Sequence, residues 1–248
     1  MNYTGGKSRL AKGISEAILN DTDSRAEYLE PFMGGGSVFE KIAPHFAESI
    51  GSDASEDLML MWNAVCNGWE PPAAISEEEY ALLKTASPSP IRALAGFGGS
   101  FGGKWFAGYA RGYTASGVER NYQGEAARSV MKFGLAVADC AKEMVRADYG
   151  DWIPVQGQVV YCDPPYAKTQ GYSAVGSFDS ARFWSKMDDW VSLGASVYVS
   201  EYVAPVGWEC IWEREHRVSL KRVTNGKGGP MRTERLFTKR LTPLAVAA

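Results

Sequence analysis

The chain is poor in the residues that build metal and disulfide sites. Its 248 residues include only four cysteines, Cys66, Cys140, Cys162 and Cys210, and two histidines, His45 and His216. No two cysteines form a CxxC pair, so they read as reduced, mostly buried thiols of a cytoplasmic protein. Without a Cys/His cluster, no transition-metal site is expected. Long apolar runs are missing too. None approaches the ~18 residues of a membrane span, and no membrane partner is expected. Met1 to Lys7 does not have the make-up of a signal peptide. The glycine-rich turn near residue 34 follows neither the GxGxxG spacing of dinucleotide oxidoreductases nor the Lys-Ser/Thr ending of a P-loop.

An excess of one charge is also absent. Lys and Arg number 26, Asp and Glu 29, and the net charge is −3. That balance argues weakly against nucleic-acid binding, but the distribution is uneven. Arg214, Arg217, Lys221, Arg222, Lys227, Arg232, Arg235, Lys239 and Arg240 crowd the C-terminal stretch, with Lys7, Arg9 and Lys12 at the start. This pattern fits a phosphate-binding face and an ordinary solvated surface equally well.

What is present is α/β punctuation. Helical spacing over Ser8–Leu19 precedes a strand at Ala26–Glu30, the turn Pro31-Phe32-Met33-Gly34-Gly35-Gly36, a helix over Ser37–Ile42 and a strand at Ser49–Ser52 ending on Asp53. A helix over Glu56–Cys66 follows. Strand, glycine turn, helix, strand and acid make one half of a nucleotide-binding sheet. The pattern breaks at Gly68 and resumes near Glu125. Residues 1–67 and 125–248 are therefore read as one domain, and 68–124 as an insertion. Ser76 and Glu79 form a capping box inside it. Its rings (Phe97, Phe101, Trp105, Phe106, Tyr109, Tyr113, Tyr122) alternate with Lys104, Arg111 and Arg120. Rings stack on bases and cations meet phosphates, although a satellite core beneath loops uses the same rings. Beyond it, a helix over Ala126–Cys140, strands at Glu143–Ala147, Val159–Cys162 and Ser196–Ser200, and a helix over Ser180–Leu193 are expected. Closing antiparallel strands are expected over Glu209–Arg222 and Glu234–Arg240, around the Asn225–Gly229 loop.

Asp163-Pro164-Pro165-Tyr166 is the most informative stretch. Two prolines end the Val159–Cys162 strand, because each fixes φ and has no N–H for the ladder. The stiff turn that results joins a carboxylate, proline carbonyls and an aromatic face. Such a turn suits a planar ring bearing an amino group: the acceptors take the N–H bonds and Tyr166 stacks. Asp53 sits where an acid accepts bonds from ribose hydroxyls, or where it would cap the following helix. Tyr3-Thr4-Gly5-Gly6-Lys7 places a ring and a cation at a terminus whose default is disorder.

Together, Tyr3–Lys7, Glu30-Pro31-Phe32-Met33-Gly34-Gly35-Gly36-Ser37-Val38-Phe39, Asp53, Asp148-Tyr149, Asp163–Tyr166 and Asn225–Gly229 followed by Arg232-Thr233-Glu234-Arg235-Leu236 resemble the Dam-type DNA adenine methyltransferases, with the motifs in that family's order. The resemblance implies a Rossmann-like sheet, mostly parallel with antiparallel closing strands, and a small target-recognition region in 68–124. It implies methyl transfer from S-adenosylmethionine (AdoMet) to the N6 amino group of adenine in double-stranded DNA, by base flipping. A restriction-modification or phage setting goes with it, and a monomer is favoured. By the same resemblance Tyr3, Lys7, Glu30, Pro31, Phe32, Gly34, Gly36, Asp53, Asp148, Tyr149 and Asp163 border the cofactor, with Tyr3 and Lys7 at its methionine end or beside the target base. Asp163, Pro164, Pro165 and Tyr166 carry catalysis, and Lys104, Arg111, Arg120, Lys227 and Arg232 meet DNA. The chain departs from the family at Ser200-Glu201, where Ser-Asn is usual. Three other readings stand beside this one: a methyltransferase for RNA adenine or protein glutamine, a non-catalytic DNA-binding relative, and a dinucleotide oxidoreductase. The glutamine reading would ask for Asn in place of Asp163.

Overall fold

The computed structural model describes residues 1–166, 178–217 and 231–241. Its strands are β1 (Glu27–Glu30), β2 (Glu48–Asp53), β3 (Ala141–Arg146), β4 (Val159–Cys162), β5 (Ser196–Glu201), β6 (Glu209–Arg217) and β7 (Met231–Thr238). They form one seven-stranded sheet in the order β3-β2-β1-β4-β5-β7-β6. The first five are mutually parallel, and β7 enters antiparallel between β5 and β6. All four residues of β4 are buried, as expected for a central parallel strand covered on both faces. This is the Rossmann-like α/β sheet with antiparallel closing strands that the sequence led us to expect.

The helices are α1 (Ala11–Asp21), α2 (Phe39–Ile42), α3 (Glu56–Cys66), α4 (Glu77–Leu83), α5 (Pro90–Ala93), α6 (Tyr122–Val137) and α7 (Ser180–Ser192). Apolar spacing explains which side of each faces inward. Helix α3 buries Leu58, Met61, Trp62 and Val65, one stripe at helical period, and carries Glu56 and Asp57 in its first turn, where the helix dipole favours acids. Helix α4 has the anticipated Ser76–Glu79 capping box. Helix α6 starts four residues before the expected Ala126, because the Asn121 side chain accepts the Gly124 N–H at 2.7 Å and caps it there.

Two cores flank the sheet. The larger gathers α1, α2, α3 and α6, with Tyr28, Tyr161, Tyr198 and Leu236 from the strands. The smaller gathers α7 with Leu29, Val160, Cys162 and Val197. Strand alternation assigns the faces: Tyr28 and Leu29 are neighbours yet lie in different cores. The chain leaves β1 toward the larger core, through Phe39 and Ile42 of α2, and re-enters α7 on the other side after β4. The C-terminal ends of β1 and β4 therefore flank a topological switch point, the place where open α/β sheets bind ligands.

Segment 68–124 does not stand apart from this core. Ile75, Tyr80, Leu94, Phe97 and Phe106 join the larger cluster, and Trp105 and Tyr109 pack against it. Of the rings considered for stacking on bases, only Phe101 and Tyr113 are mostly exposed, at 55% and 71%. An ion pair ties the segment to α3. Arg92 donates to Asp57 at 2.6 Å while its guanidinium lies 4.9 Å from the Trp105 ring centre. Asp57 also accepts the Ser89 N–H at 3.0 Å.

Removing one member of a largely buried pair leaves the other unpaired, at a cost of about 3–5 kcal/mol. We therefore expect Asp57→Ala to lower unfolding free energy by about 3 kcal/mol in urea titrations, while charge changes at the exposed Arg111–Glu77 pair stay within about 1 kcal/mol.

Candidate active site

The N-terminal segment is held in place. Thr4 donates its N–H to the Gly103 carbonyl at 3.1 Å and its hydroxyl to the Gly102 carbonyl at 3.1 Å. The Tyr3 ring packs 5.1 Å from Phe97 and lies on the glycine turn after β1. A Cβ built on Gly34 or Gly35 would stand 2.8 or 2.9 Å from Tyr3 atoms, and one on Gly36 would stand 2.8 Å from Phe133. In the structure these glycines admit the protein's own rings. Gly34 and Gly36 also have positive φ, 46° and 68°.

Docking of this segment carries Lys7 into the interior. Its side chain is 9% exposed, and its ammonium lies 2.8 Å from Asp163 Oδ1 and 3.4 Å from Glu234 Oε1. It donates to the Tyr166 hydroxyl and sits 4.6 Å from the centre of that ring. An ammonium has three donors, and here three oxygens surround it. Tyr166 donates in turn to Glu234. Alternation and register place the carboxylates together: Tyr28, Tyr161, Tyr198 and Leu236 share one face, so Glu30, Asp163 and Glu234, each two residues from one of them, lie on it as well. Glu30 is 2% exposed and accepts from the Tyr28 hydroxyl at 2.6 Å. Burial pushes its carboxyl well above the usual range, and Asp163 and Asp53 add to the effect. Burial also raises Asp163, to about 6, with Lys7 pulling it down and Glu234 pushing it up. Burial opposes the charge on Lys7, but its two carboxylate partners outweigh that and raise its pKa.

Asp53 ends β2 and ties two loops. It accepts Gly34 N–H at 2.9 Å through Oδ2 and Ser55 N–H at 2.9 Å through Oδ1. It does not occupy the cap of α3, which is Ser55. Each of its oxygens keeps acceptor capacity for a further donor. Burial raises its pKa. Phe32 stacks on Tyr149 at 5.2 Å, and both rings meet Phe183. Asp148 closes the turn beneath Tyr149, accepting the Gly150 N–H at 2.8 Å.

The structure thus brings Tyr3, Lys7, Glu30, Phe32, Gly34, Gly36, Asp53, Asp148, Tyr149 and Asp163–Tyr166 to the ends of β1, β2, β3 and β4. Sequence reasoning did not single out two further residues. Glu234 appeared only as part of a motif. Tyr202, just past β5, meets the Tyr166 ring edge-on at 4.7 Å and accepts from Arg232 at 3.0 Å. The remaining cations expected at DNA are dispersed. Arg111 pairs with Glu77, Arg120 pairs with Glu125 and stacks on Tyr122, and Lys104 is exposed. Lys227 and the whole Asn225–Gly229 loop lie within residues 218–230, outside the described residues. No group of three or more potential metal ligands occurs among the described residues. No described helix is long and apolar enough to cross a membrane.

The sheet carries a polar knot at its switch point, and part of the chain matches a family model. Residues 3–90 match the model of the D12 class N6 adenine-specific DNA methyltransferases, a stretch that holds Tyr3, Lys7, the glycine turn and Asp53. The match covers about a third of the chain. No curated protein matches the chain. Among solved structures, a protein of Pyrococcus horikoshii described as an RNA methyltransferase is similar at 10% identity and TM-score 0.43, covering 93% of this chain and 83% of that one. An rRNA methylase of Streptococcus thermophilus is similar at 7% identity and TM-score 0.40, covering 93% and 97%. The magnesium protoporphyrin IX methyltransferase of Synechocystis PCC 6803, with bound SAM, is similar at 10% identity and TM-score 0.39, covering 95% and 80%.

The raised Asp163 pKa has a defined consequence for stability. A carboxyl raised from 3.8 to about 6 favours the fold while protonated, and that contribution is lost as pH rises from about 4 through 6. Asp163→Asn removes the titration. Its stability relative to the unmodified protein should therefore climb across that window in denaturant titrations at stepped pH. A constant difference would show that Asp163 titrates normally.

Proposed function

We propose that the protein is a DNA methyltransferase that moves a methyl group from AdoMet to the N6 amino group of adenine. The observation that carries this reading is the buried knot of Lys7, Asp163, Tyr166 and Glu234, built on Asp-Pro-Pro-Tyr at the sheet's switch point. The residues present fit the cofactor. Phe32 and Tyr149 offer flat apolar surface beside the ends of β1 and β3, suited to a purine. Asp53 retains acceptor capacity for ribose hydroxyls while fixing the turn at Gly34. Asp163 and Glu234 outnumber Lys7, so this end of the site is negative and suits a cationic ligand. Tyr3, Pro31, Gly36 and Asp148 would complete the walls. When bound, AdoMet supplies an electrophilic methyl group whose departure returns the C–S bonding pair to sulfur.

The chain's own residues do the rest. An adenine amino nitrogen is a weak nucleophile because its lone pair is delocalised into the ring. The Asp163 carboxylate and the Pro164 carbonyl accept its two N–H bonds and draw the pair out of conjugation. Pro165 stiffens the turn that aligns these acceptors. Holding the nitrogen in line for displacement contributes much of the rate. As the new C–N bond forms, the nitrogen gives up one proton. Asp163, with a pKa near 6, is a better acceptor for it than an ordinary carboxylate. A duplex base reaches this pocket only after flipping out, at a cost of about a few kcal/mol. Stacking on Tyr166 offsets about 1–3 kcal/mol of that. Arg232 stands one ring away, against Tyr202, where it would hold a phosphate next to the flipped nucleotide; Lys104, Arg111, Arg120 and Lys227 would extend the phosphate track.

The test is tritium transfer from labelled AdoMet to unmethylated DNA, with digestion and mass spectrometry to identify N6-methyladenine. Asp163→Ala should abolish transfer while calorimetry still detects AdoMet binding. Near-normal turnover, or label in RNA only, would overturn the assignment. Asp53→Ala should weaken AdoMet binding and also lower stability by about 1–3 kcal/mol, because Gly34 N–H and Ser55 N–H lose their acceptor. Arg232→Ala should weaken DNA binding for all sequences alike and flatten its salt dependence by about 0.9 in log–log slope.

A further inference from the structure

We propose that Glu234 is a positioning residue of this site: it shares the Lys7 ammonium with Asp163, anchors Tyr166, and so sets the pH at which Asp163 is ready to accept a proton. The inference rests on the methyltransferase reading only for its consequence in catalysis.

The geometry comes from three separate parts of the chain. Glu234 lies on β7, which enters the sheet antiparallel, so its early residues stand beside the late residues of β5 and at the same end of the sheet as the late residues of β4. It is 2% exposed, yet its carboxylate approaches two polar groups, the Lys7 ammonium at 3.4 Å and the Tyr166 hydroxyl. A buried carboxylate persists as a charge only if it is paired and hydrogen-bonded, and both conditions hold here. Asp163 Oδ1 is 2.8 Å from the same ammonium. Two carboxylates therefore divide one cation. Lys7 can fully compensate either of them, but not both. A proton released at the site neutralises the surplus charge, and Asp163 is the carboxylate positioned to take it.

The charged and titratable groups on the neighbouring elements have other surroundings. Tyr28 and Glu30 of β1 and Tyr161 of β4 share the face, and Cys162 adjoins Asp163 in the chain. Glu30 is satisfied by Tyr28, and Tyr161 bonds Ser200 at 2.8 Å. On β5, Glu201 has the parity of Val197 and Val199 and so belongs to the opposite face, where it accepts the Tyr202 N–H at 2.6 Å. Glu234 is thus the second acid in direct contact with the ammonium that serves Asp163. The direction of its influence is plain: its negative charge raises Asp163, and Lys7 lowers it.

The decisive measurement needs no turnover. In full-length protein with carbon-13-labelled aspartate, the Asp163 carboxyl resonance is assigned by its loss in Asp163→Asn and titrated in the unmodified protein and in Glu234→Gln. The midpoint should fall by about one pH unit or more when the Glu234 charge is removed, since an opposite or like charge this close shifts a carboxyl by about 1–3 units. An unchanged or higher midpoint overturns the proposal. Tyr166→Phe gives a second check that does not depend on Glu234→Gln folding. It leaves both carboxylates and Lys7 in place and removes the bond that Tyr166 gives Glu234, so Glu234 draws more on Lys7 and the midpoint should hold or rise; a fall overturns the proposal. Where the unmodified protein methylates DNA, the acid limb of its kcat/KM profile should move to lower pH in Glu234→Gln, by the same interval as the resonance. A purely structural role would lower the rate without moving that limb. If the unmodified protein methylates no DNA, the functional reading fails, and the resonance titration still decides the role of Glu234.

Discussion

Burial of the Lys7 ammonium is the constraint on which the site depends. A desolvated cation is costly unless its donors are met, and the oxygens that meet them come from Asp163, Tyr166 and Glu234. The N-terminal segment, the double-proline turn and strand β7 are far apart in sequence, and this one cation holds all three. It also sets the chemistry. With two carboxylates around one ammonium, the site carries surplus negative charge in a place of low polarity, where charge acts over a distance. That environment favours a ligand bearing a positive charge or amino hydrogens.

The surrounding fold serves to deliver Lys7 there. Tyr3 fills the space left by Gly34 and Gly35, and Thr4 is bonded to Gly102 and Gly103. Segment 68–124 therefore has an architectural task besides any role at DNA. Its Phe97 backs Tyr3, and its Arg92 is locked onto α3 through Asp57. Most of its rings are spent on this packing. What it presents to solvent is Phe101, Tyr113 and cations, of which Arg111 and Arg120 already lean on acids and rings. Exposed pairs of this kind contribute about 0–1 kcal/mol, so exchanging an acid for a phosphate is inexpensive.

Much of this was legible in the sequence, for local reasons. The apolar run Val159–Cys162 closed by two prolines, the Glu56–Cys66 stripe, the Ser76–Glu79 box and the parallel-then-antiparallel strand order each follow from short-range rules, and each is present in the structure. The motif residues at the ends of β1, β2 and β4 were legible too, because a switch-point fold puts its ligand residues at strand ends.

What the sequence could not supply is which distant side chains meet. It determined on its own the sheet, its switch point and the acid-proline-proline-tyrosine turn, since backbone restriction and hydrophobic period act within a few residues. It left open whether Asp53 caps a helix. Tertiary packing decided it: Asp53 holds the Gly34 and Ser55 amides, and the same packing seats Tyr3 and Phe133 on the glycines. Tertiary structure alone placed Glu234 beside Lys7, because the antiparallel entry of β7 brings residue 234 next to residues 7 and 166, and no spacing along the chain encodes that meeting.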